Sequence, residues 1–173
     1  MKSITQPLSS NQEMVRRRVL GLLAILGLLM GLGSWAFSSP VGASPDDDFH
    51  LASSWCGLGD REGLCGSANK PGEKHIDAAL NQASCFAFLP KESASCQSDA
   101  QLFSQPQFID SSRGSFSSNY PPVFYAVNGT LASPDIQTSV VLMRLLNIIV
   151  FIGSFIALWL LVSTDKRKVI FWM

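Results

Sequence analysis

Two long apolar stretches stand out against a chain that is otherwise polar and punctuated by turns. Residues 19–37 read VLGLLAILGLLMGLGSWAF without one charge, which is about the length at which a helix crosses a hydrocarbon core. Residues 140–162, VVLMRLLNIIVFIGSFIALWLLV, form the second stretch, broken only by Arg144 and Asn147 near its start. The pattern predicts a membrane protein, mainly α, with two transmembrane helices flanking an extracytoplasmic loop domain that holds short helices. Its segments are a tail at 1–18, a first span at 19–37, the loop at 38–139, a second span at 140–162 and a tail at 163–173. A basic start, an apolar run and small residues up to Ala43 also describe a cleavable secretory signal. Trp35 and Phe37 sit where interfacial aromatics anchor a retained helix, and the stretch is longer than most signal cores, so the retained span is the expectation.

The loop divides at its turn residues. Pro45 and the acids after it suit the opening of a short helix over Asp47–Trp55. Residues 57–72, dense in Gly, read as loop, and residues 77–86 show helical spacing that Pro90 ends or bends. After a Ser-rich turn at 111–119 comes an aromatic and apolar patch at 120–127, too short to span and suited to lie along a membrane surface. Asn128-Gly129 is a turn signal. With Thr130 it also matches a glycosylation acceptor, for which the simple turn is the better explanation. Ser133 is the expected N-cap of the second long helix, with Pro134 at its first position.

Charge gives this arrangement a direction. The net charge is zero, which argues against nucleic acid as a partner, but its distribution is uneven. Arg16, Arg17 and Arg18 precede the first apolar stretch and Lys166, Arg167 and Lys168 follow the second, whereas residues 38–139 hold eleven acidic residues against five Lys or Arg. Basic flanks stay in the cytoplasm, so both termini are expected there, in a multi-pass protein of the cell membrane whose obligatory partner is the lipid bilayer. All four cysteines, Cys56, Cys65, Cys85 and Cys96, fall in the loop, as expected of two disulfides in an oxidising compartment. Three connectivities are open. Cys56 to Cys65 and Cys85 to Cys96 is preferred, because each closes a short loop around a turn-rich segment. Zinc is the weaker reading, since there is no CxxC pair and His50 and His75 lack finger-like spacing.

The constellation with most chemical potential is Asp46, Asp47, Asp48 and His50. Adjacent carboxylates could hold a divalent cation, or one could serve as general base toward a sugar hydroxyl while another orients it. Asp residues at a helix start also cap orphan N–H groups and complement the helix dipole without any catalytic role. Arg144 and Asn147 share a helix face, where an anionic lipid phosphate is one partner and snorkelling or helix packing the alternative. The chain contains no nucleophile elbow, P-loop or dinucleotide fingerprint.

Several fragments, in order, resemble the DUF2142 family of bacterial polytopic membrane proteins, which looks like the GT-C class of membrane glycosyltransferases. Pro45-Asp46-Asp47-Asp48-Phe49-His50 is similar to the family's P-D-E-x-x-H pattern, with Asp47 one methylene shorter than its Glu. Cys85-Phe86-Ala87-Phe88-Leu89-Pro90, continuing to Cys96, looks like its cysteine-bracketed segment. Tyr120-Pro121-Pro122-Val123-Phe124-Tyr125 resembles Y-P-P-L-Y-Y, and Arg144-Leu145 falls at the matching place in the next span. The resemblance implies a cell-envelope enzyme that transfers sugar from a polyprenyl-phosphate donor. Asp46 and Asp47 would be the base or metal-associated groups, with His50, Tyr120 and Arg144 contacting substrate. It corresponds to the N-terminal part of that family, so the chain is expected to need further spans for activity. The rival expectation is a non-catalytic membrane module whose disulfide-braced loop binds another protein. A third is a cleaved, secreted domain with a C-terminal anchor.

Overall fold

The computed structural model describes residues 10–117 and 120–162. In chain order the elements are α1 (Ser10–Ser38), α2 (Asp47–Trp55), β1 (Cys65–Ser67), β2 (Lys74–Asp77), α3 (Ala79–Gln82), α4 (Cys96–Asp99), β3 (Phe108–Ser111), α5 (Pro122–Gly129) and α6 (Ile136–Leu161). They fall into two compact units, one of Met1–Trp35 with Ile148–Met173 and one of Ala36–Asn147.

The first unit contains most of α1 and the second half of α6. Both helices are long and apolar enough to cross a membrane. Leu22, Met30, Val150 and Leu160 are among the large apolar side chains that point outward, the surface expected where hydrocarbon replaces water. The basic residues expected to follow the second span lie outside the described residues.

The second unit is a small domain with its own core. Trp55, Leu51 and Ala52 of α2 pack with Ile76 of β2, Ala79 and Leu80 of α3, and Ile136, Val140 and Met143 of α6. The first two turns of α6 are therefore part of this core. The helix begins at Ile136, four residues before the apolar stretch expected to be the second span. Its N-cap is Asp135 rather than Ser133. Asp135 Oδ1 accepts the Thr138 N–H at 3.1 Å, and the Ser133 hydroxyl pairs instead with that of Ser139 at 2.8 Å. Helix α2 spans Asp47–Trp55 as expected. The patch at 120–127 is largely helix α5, opened by Pro122 at its first position.

Three strands were not foreseen. They form an antiparallel sheet in the order β1-β2-β3, with Ile76 opposite both Cys65 and Ile109. The first lies in the segment read as loop, and the expected helix at 77–86 is cut to one turn at Ala79–Gln82, with β2 taking Asp77 at its start and turns replacing helix after Gln82. Strands of three or four residues carry too little alternation to be read from sequence, and their pairing is set by distant partners. The disulfides are Cys56–Cys65, which ties the end of α2 to β1, and Cys85–Cys96.

Helices α2 and α5 cross at very close range. A Cβ on Gly57 would lie 2.4 Å from the Tyr125 carbonyl oxygen, and one on Gly129 would lie 2.6 Å from that of Ser54. Arg61 closes the crossing, donating to the carbonyl of Trp55 at 2.7 Å and of Gly129 at 3.0 Å, the last residues of the two helices. One guanidinium thus satisfies an orphan carbonyl at each helix end and complements both dipoles. Gly129→Ala should cost about 1–3 kcal/mol through overpacking against backbone. Thermal unfolding of the purified protein should show a clearly lowered midpoint, and an unchanged midpoint would refute the close crossing.

Candidate functional site at the start of α2

The acidic run opens α2 in an unusual way. Asp46, the N-cap, has φ 57° and makes no side-chain cap bond, a conformation that Asp tolerates better than most residues. The three carboxylates divide between two arginines. Asp46 Oδ1 accepts from Arg113 Nη2 at 2.9 Å, and Asp48 takes the same guanidinium through Nε at 2.6 Å and Nη2 at 3.1 Å. The Arg113 carbon between them lies 5.5 Å from the Phe49 ring centroid. Asn81 of α3 locks the arrangement. Its amide donates to the carbonyls of Asp48 at 2.8 Å and Arg113 at 3.3 Å, and its oxygen accepts from the Ser111 hydroxyl at 2.6 Å.

Asp47 points elsewhere. Its Oδ2 accepts the Ser44 N–H at 3.1 Å and lies 3.9 Å from Arg144 Nη2, with both side chains largely shielded. Burial holds the Asp47 carboxyl above its ordinary value of 3.8, outweighing the Ser44 N–H and the Arg144 charge, which act the other way. Asp48 moves in the opposite direction, lowered chiefly by the Arg113 hydrogen bond. Arg144 also donates to the carbonyls of Ala36 at 3.2 Å, Ser39 at 2.6 Å and Pro40 at 2.8 Å, around the C-terminal end of α1. Helix ends present such orphan carbonyls, which a cation complements. Asn147, one turn further along α6, meets Asn128 at 3.4 Å.

His50, one turn into α2, shares a hydrogen bond between Nδ1 and the Tyr125 hydroxyl at 3.0 Å, and the two rings stack with centroids 6.0 Å apart. Burial raises the Tyr125 phenol above its ordinary value, so it stays protonated at neutral pH. Tyr120 places its ring 6.1 Å from His50 and 5.7 Å from Phe49. Asp47, His50, Tyr120 and Arg144 are thus all placed around the N-terminal half of α2, and Asp46 stands apart on the Arg113 side. His75 lies away from this group, paired across strands with Asp110 at 2.7 Å. Asn128 of the acceptor-like pattern is buried, its amide donating to the Phe124 carbonyl at 2.9 Å, which leaves no room for a glycan; the turn expected at Asn128-Gly129 is instead the last turn of α5, and the chain turns only after it.

Arg113 and Tyr125 were missed as site residues. Arg113 is a single cation in a Ser-rich turn, and its one signal was the unmatched charge of the Asp run; Tyr125 carried only its place in the aromatic patch and in the fragment resembling Y-P-P-L-Y-Y. The carboxylates do not fit a divalent cation. Each faces a guanidinium, and among the described residues no group of three or more His, Cys, Asp or Glu is placed to hold a metal.

Two helices long and apolar enough to cross a membrane, with outward-facing aliphatic side chains, fit the class of membrane proteins. The chain belongs to the DUF2142 family, described as "Predicted membrane protein (DUF2142)", whose profile matches residues 28–173. No curated protein and no solved structure matches it.

The opposite shifts of Asp47 and Asp48 make the role of Arg113 measurable. A carboxyl lowered in the folded state adds stability above its ordinary pKa, and that stability is lost as pH falls through the folded value, below 3.8. Arg113→Ala should therefore lower stability by about 0.5–1 kcal/mol at neutral pH, as expected of a partly exposed bidentate pair. The gap between wild type and variant should narrow as pH drops below about 4 in thermal melts. A gap that persists at lower pH would place the effect of Arg113 in packing instead.

Proposed function

We propose that this chain contributes the acidic loop of a GT-C-like glycosyltransferase of the bacterial cell envelope, acting on a polyprenyl-phosphate-linked sugar, with Asp47 as the general base. The observation that carries the reading is the division among the three carboxylates. Asp46 and Asp48 are neutralised by one arginine, whereas Asp47 is shielded, lifted in basicity by burial and set beside Arg144. A carboxylate of raised pKa is the better proton acceptor for a sugar hydroxyl. In the step envisaged, Asp47 takes the hydroxyl proton as that oxygen bonds to the anomeric carbon, and the bond from that carbon to the lipid phosphate breaks with its electron pair on the phosphate. His50 and Tyr120 offer a ring and polar edges to a sugar, and Arg144 a positive charge toward the phosphate. Asp46, tied to Arg113, serves in shaping the loop. The loop lies outside the cytoplasm and both termini inside, supported by the basic flanks and the two disulfides. Further spans would complete the donor pocket.

A second reading is favoured by the same Arg113 clamp. Two of the three carboxylates are engaged as a structural fastening would engage them, which suits a non-catalytic module presenting its braced loop to a partner protein. Transfer of labelled sugar from a polyprenyl-phosphate donor, measured in membranes where this chain is accompanied by the further spans that complete the pocket, separates the two. Asp47→Asn should reduce transfer by about 10²–10⁴-fold with both disulfides formed and the melting midpoint kept. Asp46→Asn should reduce it far less. Undiminished transfer by Asp47→Asn would remove Asp47 from catalysis.

A further inference from the structure

The Ala36–Asn147 unit displays two apolar features that its own core does not use. Phe88 is 96% exposed in the left-handed region at φ 63°, with Leu89 half exposed beside it, on the loop closed by Cys85–Cys96. An aromatic side chain in that backbone region is costly, so the loop holds it outward against local preference. On α5, Val123 at 70% exposure, Phe124 and Val127 form a continuous apolar face with no charged residue in the helix.

Hydrogen bonds fix where these features sit. The buried Gln97 amide donates to the carbonyls of Val41 at 2.6 Å and Ala83 at 2.7 Å, and a Cβ on Gly42 would lie 2.7 Å from the Ala83 backbone. The base of the disulfide loop is therefore fastened to the chain three and four residues beyond Ser38, where α1 ends. Helix α5 is fastened through Asn128 to Asn147, the last residue before α6 leaves this unit. Within this unit, the base of each apolar segment is thus tied to residues next to those that continue into a long apolar helix.

We propose that the Phe88–Leu89 tip and the outer face of α5 rest in the boundary between headgroups and acyl chains of the bilayer, so that the domain is seated on lipid through two contacts as well as its helices. The chemistry fits lipid. Phe and aliphatic side chains enter the acyl edge, Lys91 two residues past Leu89 reaches phosphate, and neither feature carries an acid in its apolar stretch. The proposal is independent of sugar transfer.

Site-specific photo-crosslinking of the full chain in phosphatidylglycerol and phosphatidylethanolamine nanodiscs tests it. Phe88→benzoylphenylalanine and Phe124→benzoylphenylalanine should each give phospholipid adducts at roughly tenfold the yield of Lys70→benzoylphenylalanine, whose exposed side chain serves as the aqueous control. Leu89 and Val123 are replaced in the same way should either first variant fail to form both disulfides. Adducts to peptide instead of lipid, or lipid adducts no more abundant than at Lys70, would overturn it.

Discussion

The crossing of α2 and α5 governs the rest of the disulfide-braced domain. Two glycines let the helix backbones meet at a distance no side chain would permit, and Arg61 holds both C-terminal ends at once. From that crossing follows the reach of His50 to Tyr125, and hence the ring cluster that Tyr120 completes. The same crossing buries Trp55 and the residues before it, and so orients the N-terminus of α2 where the acids lie. Losing the close approach would separate the aromatic side of the candidate site from its acidic side.

Arginine acts twice more in ways that depend on helix geometry. Arg144 meets carbonyls around the end of α1 and lies near Asp47, and Arg113 gathers Asp46 and Asp48. Planar guanidinium groups suit both tasks, because several N–H donors diverge from one charge. The outcome is a local electrostatic sorting. Carboxylates adjacent in sequence end in different environments, one lowered in pKa and one raised. Such divergence between neighbouring acids is what acid–base chemistry requires, and it is also within the range of structural ion pairs.

Much of this was legible in the chain. The two apolar stretches fixed the long helices, because span length is a property of consecutive residues and needs no partner. Helix α2 was readable to the residue from Pro45 and the acids that follow, a purely local signal. The preferred disulfides were readable because short loops with turn residues bring their ends together. The family was readable from the spacing of Asp47, His50, the cysteine pair and the Tyr-Pro-Pro element, and the matched profile agrees.

What remained hidden has a common cause. The sheet, the shortening of the helix expected at 77–86, the role of α6's first turns as core and the cap at Asp135 all depend on residues distant in sequence or on exact backbone direction. Sequence by itself determined that this protein enters a membrane and carries a run of carboxylates next to its first long apolar helix, since hydropathy and charge are additive along the chain. Only the tertiary structure decided which carboxylate is clamped and which is buried. That choice rests on where Arg113 and Arg144 arrive from 65 and 97 residues away, and no local pattern encodes it.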